Sequence, residues 1–512
     1  MARFKDHGTA QGKLIAVSFE AQLQPGTFEH TLNHLIDHKL DLSVFEARYR
    51  NDDGGAPAYH PAVLLKIILF AYSRGIVPSR RIEQAWRENV TFMALSGDSQ
   101  PHYTTIAHFI SSLHDEITAL FRDVLLICDQ LGLIGRQMFA IDGCKLASNA
   151  SKQWSGTKAG LMKRRAKLER NVSYLLTEHR QEDEAEGSGD APQRRREQKQ
   201  LKTLTARIDK LSAWLDSHDD KPGKSGRPKQ SNLTDNDSAL MKTHRGVIQG
   251  YNGVAAADAK HQVVLHAEAF GEGQEHDLFT PMLDGVEQNL PHDALGKAKV
   301  TADAGYFSEN NLKHCAEQGV DAYIADPQLR QRDPRFTDPD SRYSEQKRKR
   351  RRGNPDHPYP QERFIIDAAT ETCLCPAGAK LYVKHRNARF GKLIATVYQG
   401  AKRDCGPCLL RAKCLKHPNQ KTSRQVAVFQ GKHPNAAETY SERMRRKLDT
   451  PTGRAIYSRR LGTVEPVFAR ITHALGLNRF TLRGKRKVDT QWKLYCLVHN
   501  LTKIHRYGTG FG

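Results

Sequence analysis

The sequence predicts a multidomain α/β protein with a helical N-terminal region and a mixed-sheet core broken by two long insertions. Three observations carry this. A chain of 512 residues is too long for one hydrophobic core and calls for several modules. Apolar residues recur at helical spacing through 1–136, and from 137 they form short strand-like runs. Two stretches, 158–216 and 328–450, fit neither run, and the second holds most of the cysteines. Hydrophobic content of 38% suffices for a globular protein, while a mean hydropathy of −0.64 implies long polar insertions.

Taken in order, PAVLLKIILFAYSRG places Pro61 at a helix start and Gly75 at its end. RRIEQAWRENVTFMALSG and TTIAHFISSLHDEITALFRDVLLICDQLGL continue the helical pattern. The region 1–136 therefore reads as a helical domain for DNA contact or dimerisation, with a helix-turn-helix-like pair. Met138-Phe139-Ala140-Ile141 is a buried strand closed by Asp142. GYNGVAAAD and QVVLHAEAF form a hairpin turning at Ala259-Lys260-His261. A helix over HDLFTPMLDGVEQNL, the strand AKVTAD, a helix capped by Ser308 and ended by Gly319, and the strand VDAYIAD follow. Strand, hairpin, helix, strand, helix, strand, with acids closing the first and fourth strands, is the order of a ribonuclease-H-like core over 137–327, completed by 451–505. Leucines and their equivalents at heptad spacing make 158–216 an antiparallel helical hairpin, from Leu161 to Leu175 and from Leu201 to Leu215. The stripe is expected to be the hairpin's seam. The insertion 328–450 reads as a basic, Cys-rich, zinc-knuckle-like segment.

Charge points to the partner. The net charge is +22, which favours a polyanion, most commonly nucleic acid. Residues 1–136 carry 13 Lys/Arg against 15 Asp/Glu, so the excess lies downstream. Residues 441–488 hold 13 Lys/Arg against 3 acids, and KRKRRR at 347–352 forms a second focus. The N-terminal residues lack an apolar signal region and no stretch reaches membrane-spanning length, so a cytoplasmic, nucleoid-associated protein with no membrane partner is expected. Nine cysteines in so long a chain do not make a disulfide framework.

Three carboxylates stand out: Asp142 after the first core strand, Asp303 after Val300 in KVTADAGYFSEN, and Glu465 opening TVEPVFARITHALGL. Acids that converge from distant segments suit divalent-metal phosphoryl chemistry. Hard oxygens hold Mg²⁺ or Mn²⁺, and two such ions about 3.5–4 Å apart clamp the attacking and leaving oxygens of an in-line displacement. Asp258 and Glu268 are expected in the hairpin, and Asp235, Asp237, Glu275 and Asp277 as structural acids or caps. A second constellation is Cys373, Cys375, Cys405, Cys408 and Cys414, with C-x₂-C spacing at Cys405. It suits a structural Zn²⁺ on Cys375, Cys405, Cys408 and Cys414, with Cys373 spare. Free buried thiols or a redox CGPC pair are the alternatives. Trp492 is expected in the core, and Trp154, in a Ser/Gly-rich loop after the first strand, in the core or on DNA.

The stretches AIDGCKLASNASK, GYNGVAAADAKHQVV, TADAGYFSENNL, CPAGAKL, VEPVFARITHALGLNRFTLRG and WKLYCLVHNLTKI together resemble bacterial insertion-sequence transposases of the DDE class. The group resembled has a helical N-terminal domain and a Cys-rich insertion. The resemblance implies that Asp142, Asp303 and Glu465 hold the metal ions. It implies element ends and target DNA as substrate, cleavage and strand transfer as the reaction, and a homo-oligomer of at least two copies. Tyr457 and Arg460 take the places of a Tyr and an Arg that precede the glutamate in relatives, Arg460 one residue further away than in the commonest form. Thr472 and His473 stand where relatives carry a cation, so Arg470 or Arg479 is expected to supply it, with Lys347 and Arg348 adding DNA contacts. A catalytically inactive DNA-binding regulator and a structure-specific nuclease of the same fold are the rival readings.

Overall fold

The computed structural model describes residues 16–49, 54, 57–184, 191–223, 226–290, 294–333, 359–367, 370–417, 419–433 and 437–509. The chain forms two compact units, Met1–Asp326 with Thr450–Gly512, and Pro327–Asp449.

The larger unit is organised by one mixed sheet. Its strands are β1 (Met138–Ala147), β2 (Ala239–Thr243), β3 (Gly246–Asp258), β4 (Val264–Phe270), β5 (Lys299–Ala302) and β6 (Asp321–Ile324). β1 is central, antiparallel to β3 and parallel to β5, which in turn lies parallel to β6. β3 is long enough that β2 and β4 share its far edge, β2 on residues 246–250 and β4 on residues 252–257. Met138, Phe139, Ala140 and Ile141 are all buried. Consecutive residues of a strand point to opposite faces, so both faces of β1 are covered, which is why its sequence is a continuous apolar run.

Among the described residues, six helices of seven residues or more precede the sheet: α1 (Phe28–His38), α2 (Pro61–Ser73), α3 (Ser79–Glu88), α4 (Val90–Ser96), α5 (Tyr103–Ser112) and α6 (His114–Gln130). The two long helical runs of the sequence are each cut in two. Asn89 leaves helical geometry to cap α4, its side chain accepting from the Thr91 amide, and Leu113 takes φ −104° and ψ 51° between α5 and α6. After β1 come α7 (Lys158–Glu184) and α8 (Ala191–Ser217); α9 (Phe279–Asn289) and α10 (Glu309–Glu317) follow the hairpin strands. The chain ends in α11 (Pro451–Ala469) and α12 (Lys485–Tyr507). α12 is buried from Val488 to Ile504 and ties the N-terminal helices to the sheet. Tyr72 stacks on Tyr495 at 4.5 Å, and His114 Nε2 lies 2.7 Å from Asp489. Asp489 also accepts the β4 amide of Ala269, and the Trp492 indole donates to the Val254 carbonyl of β3. The helical N-terminal region is thus packed onto the core as part of one unit.

Helices α7 and α8 form the hairpin, but its tight packing is local. Leu161, Leu211, Trp214 and Leu215 are buried at its base, whereas Leu168, Val172, Leu175, Leu201, Leu204 and Ile208 are only half-buried. Among the described residues, no helix is long and apolar enough to cross a membrane.

The smaller unit contains a five-stranded antiparallel sheet that the sequence reading did not anticipate. Its strands are β7 (Ile365–Asp367), β8 (Thr372–Leu374), β9 (Lys380–Phe390), β10 (Leu393–Gly400) and β11 (Gln425–Lys432), in the order β11-β10-β9-β8-β7. The strands lack a clean polar/apolar alternation because little of β7, β9 and β11 is buried, while the central β10 is buried on both faces from Ala395 to Tyr398. Phe364, Cys373, Leu381, Tyr398 and Val426 make one small core, and most of β9 faces solvent.

Candidate functional site

Strand register brings two of the three acids together. β1 and β5 run parallel with Ile141 opposite Ala302, so Asp142 and Asp303 are the next residues on each strand. β5 ends there: Asp303 caps a short turn over Ala304–Tyr306, its Oδ1 accepting from the Gly305 amide at 2.7 Å. Asp142 Oδ1 accepts from the Gly143 amide at 2.8 Å, and its Oδ2 is ion-paired with Arg460 from α11. Burial pushes the Asp142 carboxyl up to about 6; the Asp303 charge adds to the rise and Arg460 opposes it.

The third acid is elsewhere. Gly453, Ile456, Arg460, Thr463, Val464 and Val467 form the buried face of α11. That spacing of three and four residues leaves Glu465 on the opposite, exposed side. Among the described residues Glu465 makes no hydrogen bond or ion pair. Pro466 lies inside the helix, and a π-helical turn over Arg470–Ala474 follows it.

Another carboxylate takes the place beside the aspartates. Glu275, in the loop between β4 and α9, is 14% exposed; its Oε1 is ion-paired with Lys145 and accepts from Asn252, each at 3.2 Å. A Cβ on Gly305 would stand 2.1 Å from Glu275 Oε2 and 2.9 Å from Asp303 Oδ1, so both oxygens crowd one small space. Sequence reasoning set Glu275 aside as a structural acid or cap, and nothing in GEGQEHDLF separates it from such a residue. The other rival acids are held otherwise. Asp258 accepts three backbone amides, of Gly135, Arg136 and Lys260. Asp235 accepts from Tyr251 and the Gly484 amide, and Glu268 pairs with Lys485.

The expected DNA-contacting cations divide. Arg460 is buried on Asp142 with Tyr457 beside its guanidinium at 5.8 Å, which withdraws it from a phosphate in this conformation. Arg470 is half-buried and donates to Thr502, and burial lowers its pKa. Arg479 is exposed. With Asn149, Ser151, Trp154, Lys210, Thr234 and Arg483 it lines an open concavity beyond the end of β1. Arg479 donates to the Ser148 carbonyl at 3.1 Å and Arg483 to the Asn149 carbonyl at 2.6 Å. Trp154 packs against the hairpin base, with Arg164 at 5.0 Å and Lys210 at 5.7 Å from its ring centre. Trp492 is fully buried. Lys347 and Arg348 lie outside the described residues.

In the smaller unit Cys375, Cys405, Cys408 and Cys414 line one cavity, together with Tyr359, Leu381 and Arg424. Burial pushes the Cys414 thiol up; Arg424 opposes the rise, and the three other cysteines add to it. Cys373 instead points into the sheet core. Among the described residues, no three His, Cys, Asp or Glu side chains stand together as ready ligands for an ion, at the acids or at the thiols. The donor chemistry fits nonetheless: hard oxygens suit Mg²⁺ or Mn²⁺, and four thiols facing one cavity suit Zn²⁺.

Two family comparisons bear on this geometry. A transposase DDE domain matches residues 374–505, a span with Glu465 and the four cavity cysteines inside it and both aspartates outside. A transposase domain (DUF772) matches residues 17–112, within the N-terminal helices. No curated protein matches the chain.

Proposed function

We propose that the chain acts as a DDE transposase of the insertion-sequence class, an enzyme of DNA cleavage and strand transfer, with its reaction centre built on Asp142 and Asp303. The single observation that carries this reading is the parallel register of β1 and β5, which makes the two carboxylates neighbours at the point where β5 stops. The surrounding core is read as ribonuclease-H-like, with the α7–α8 hairpin and the Cys-rich sheet as its insertions. Mg²⁺ or Mn²⁺, two ions per centre when fully loaded, would supply the Lewis acidity that activates a water or 3′-hydroxyl and stabilises the leaving 3′-oxygen.

The remaining roles belong to the chain. Asp142 and Asp303 are fixed by backbone hydrogen bonds from Gly143 and Gly305, which sets their oxygens before any ligand arrives. Arg460 compensates the Asp142 charge in the DNA-free protein. Glu465 is the third acid that the family resemblance assigns, and it lies on the outer face of α11, so it reaches the aspartates only if α11 turns. Arg479 and Arg483 are proposed to grip phosphates of double-stranded DNA at the element end or target, an interaction that weakens steeply with salt. Zn²⁺ on Cys375, Cys405, Cys408 and Cys414 would be structural, and joining two element ends calls for at least two copies.

The test uses labelled DNA carrying the flanking element end, with Mg²⁺, and compares the wild type with Asp303→Ala. Nicking and joining in the wild type, reduced by about a thousandfold or more in the variant with DNA binding retained, is the expected result. Equal activity in the two proteins would remove Asp303 from the centre.

A further inference from the structure

Glu275 is the strongest feature of the site that the family pattern does not use. It approaches Asp303 across Gly305, where even a methyl group would meet its Oε2 at 2.1 Å. Its Oε1 is shared by Lys145 from β1 and Asn252 from β3, so two strands of the central sheet aim it at the aspartates. Two carboxylates that crowd one space repel each other, and a cation between them would relieve the repulsion.

Two buried groups beside it also await a partner. The Tyr306 hydroxyl is fully buried and, among the described residues, makes no hydrogen bond, although Asp142, Glu275 and Asp303 all lie near enough to act on its charge. Asn252 is fully buried too. Its amide donates to Glu275, while its Oδ1 has no partner and sits 2.5 Å from where a Gly143 Cβ would be. A buried oxygen left without a partner is costly, and two of them around one acid cluster mark a place where something polar binds. Both stand next to the residues of the reaction centre, one after Asp303's turn and one across from β1.

We propose that Glu275 is a metal-holding carboxylate of this centre, joining Asp142 and Asp303 on a divalent cation before DNA binds, with the Tyr306 hydroxyl and the Asn252 amide oxygen completing the polar pocket. This rests on the Asp142–Asp303 reading above. It gives the DNA-free protein a three-carboxylate cation site on strands and a loop, independent of α11. In the cation-free state Lys145 and Arg460 occupy the negative charge that the ion would take. Gly305 is required because any larger residue would expel Glu275.

The test measures Mn²⁺ binding to the full chain without DNA, by the loss of the free-ion paramagnetic signal, with melting curves as a check on folding. Glu275→Gln keeps the side-chain shape and is expected to weaken Mn²⁺ by about tenfold or more, while Glu465→Gln binds as the wild type does. Gly305→Ala takes the space of the Glu275 carboxylate and also presses on Asp303 Oδ1, so it should weaken the ion as well; Glu275→Asp, one methylene short and still charged, should weaken it too and decides the matter should Glu275→Gln fail to fold. Wild-type affinity in a folded Glu275→Gln, in Glu275→Asp or in Gly305→Ala would overturn the proposal and leave Glu275 as the counter-ion of Lys145. Asp303→Asn separates the two readings. If it abolishes binding while Glu275→Gln does not, only Glu275 is excluded; if it too binds normally, the aspartate centre itself falls.

Discussion

The acidic centre and the cysteine cavity are both proposed metal sites, yet they are made in opposite ways. Asp142 lies on a central strand with both faces covered, and Asp303 at the end of its parallel neighbour. Their closeness follows from hydrogen-bonded register and would persist with no ion present. Cys405, Cys408 and Cys414 lie on short helices and turns outside the strands, and Cys375 just past β8. Beneath them, among the described residues, lies a small core cluster of Phe364, Cys373, Leu381, Tyr398 and Val426. A core that small leaves a domain short of stability without a staple. The first site is thus a product of the fold, and the second is proposed to be one of its causes.

The largest effect expected from this contrast is on the smaller unit. Removing zinc with a strong chelator, or replacing Cys405 and Cys408 by Ser, should melt the β7–β11 sheet, since structural zinc is worth about 10 kcal/mol or more in small domains. Removing Mg²⁺ should leave the melting of the larger unit nearly unchanged. Calorimetry with and without each chelator checks both, and a smaller unit indifferent to chelation would make the four cysteines ordinary thiols.

A second effect falls on the framework of the acids. Trp492→Ala removes a fully buried indole that packs against Gly253 and donates to Val254, which lie opposite Cys144 and Gly143 in the sheet, next to Asp142. A loss of about 3–5 kcal/mol is expected in denaturant unfolding. A loss below about 1 kcal/mol would mean that the sheet does not lean on α12.

The smallest effect concerns pH. The hydrogen bond that His114 donates to Asp489 raises the histidine's pKa above its usual 6.5, against the opposing cost of burial. Asp489 is held below the usual carboxylate value by His114 and Lys493, although burial works the other way. The histidine's contribution is therefore complete below pH 6.5 and is lost as pH rises through its folded value, whereas the aspartate's is lost only in acid. His114→Ala should cost about 1–2 kcal/mol at pH 6 and clearly less at pH 9. Equal losses at both pH values would show that the link between α6 and α12 is not ionic.

What was legible in the sequence follows the same division. Met138–Ile141, the hairpin at 250–270 and the Ser308 cap announce themselves because an apolar run, a turn and an N-cap are local signals. Asp142 and Asp303 could be picked out because each ends such a run. Glu275 could not, because its approach to Asp303 depends on a missing Cβ at Gly305 and on Asn252 two strands away. The exposed side of Glu465 is set by which face of α11 meets the sheet, and VEPVF does not fix that face. The β7–β11 sheet is hidden because β9 and β11 are sparsely buried and β10 is buried on both faces, so none of the three shows a regular alternation.

The most direct test of the central claim places sulfur at a non-bridging oxygen of the scissile phosphate. Mg²⁺ coordinates sulfur poorly and Mn²⁺ better. If the Asp142–Asp303 centre puts a divalent ion on that phosphate, cleavage of the substituted strand should be slow in Mg²⁺ and restored by Mn²⁺ in the wild type. Asp303→Ala should show no rescue. Equal cleavage of the oxygen and sulfur strands at either oxygen position, or slow cleavage that Mn²⁺ never restores, would contradict metal contact with the reacting phosphate.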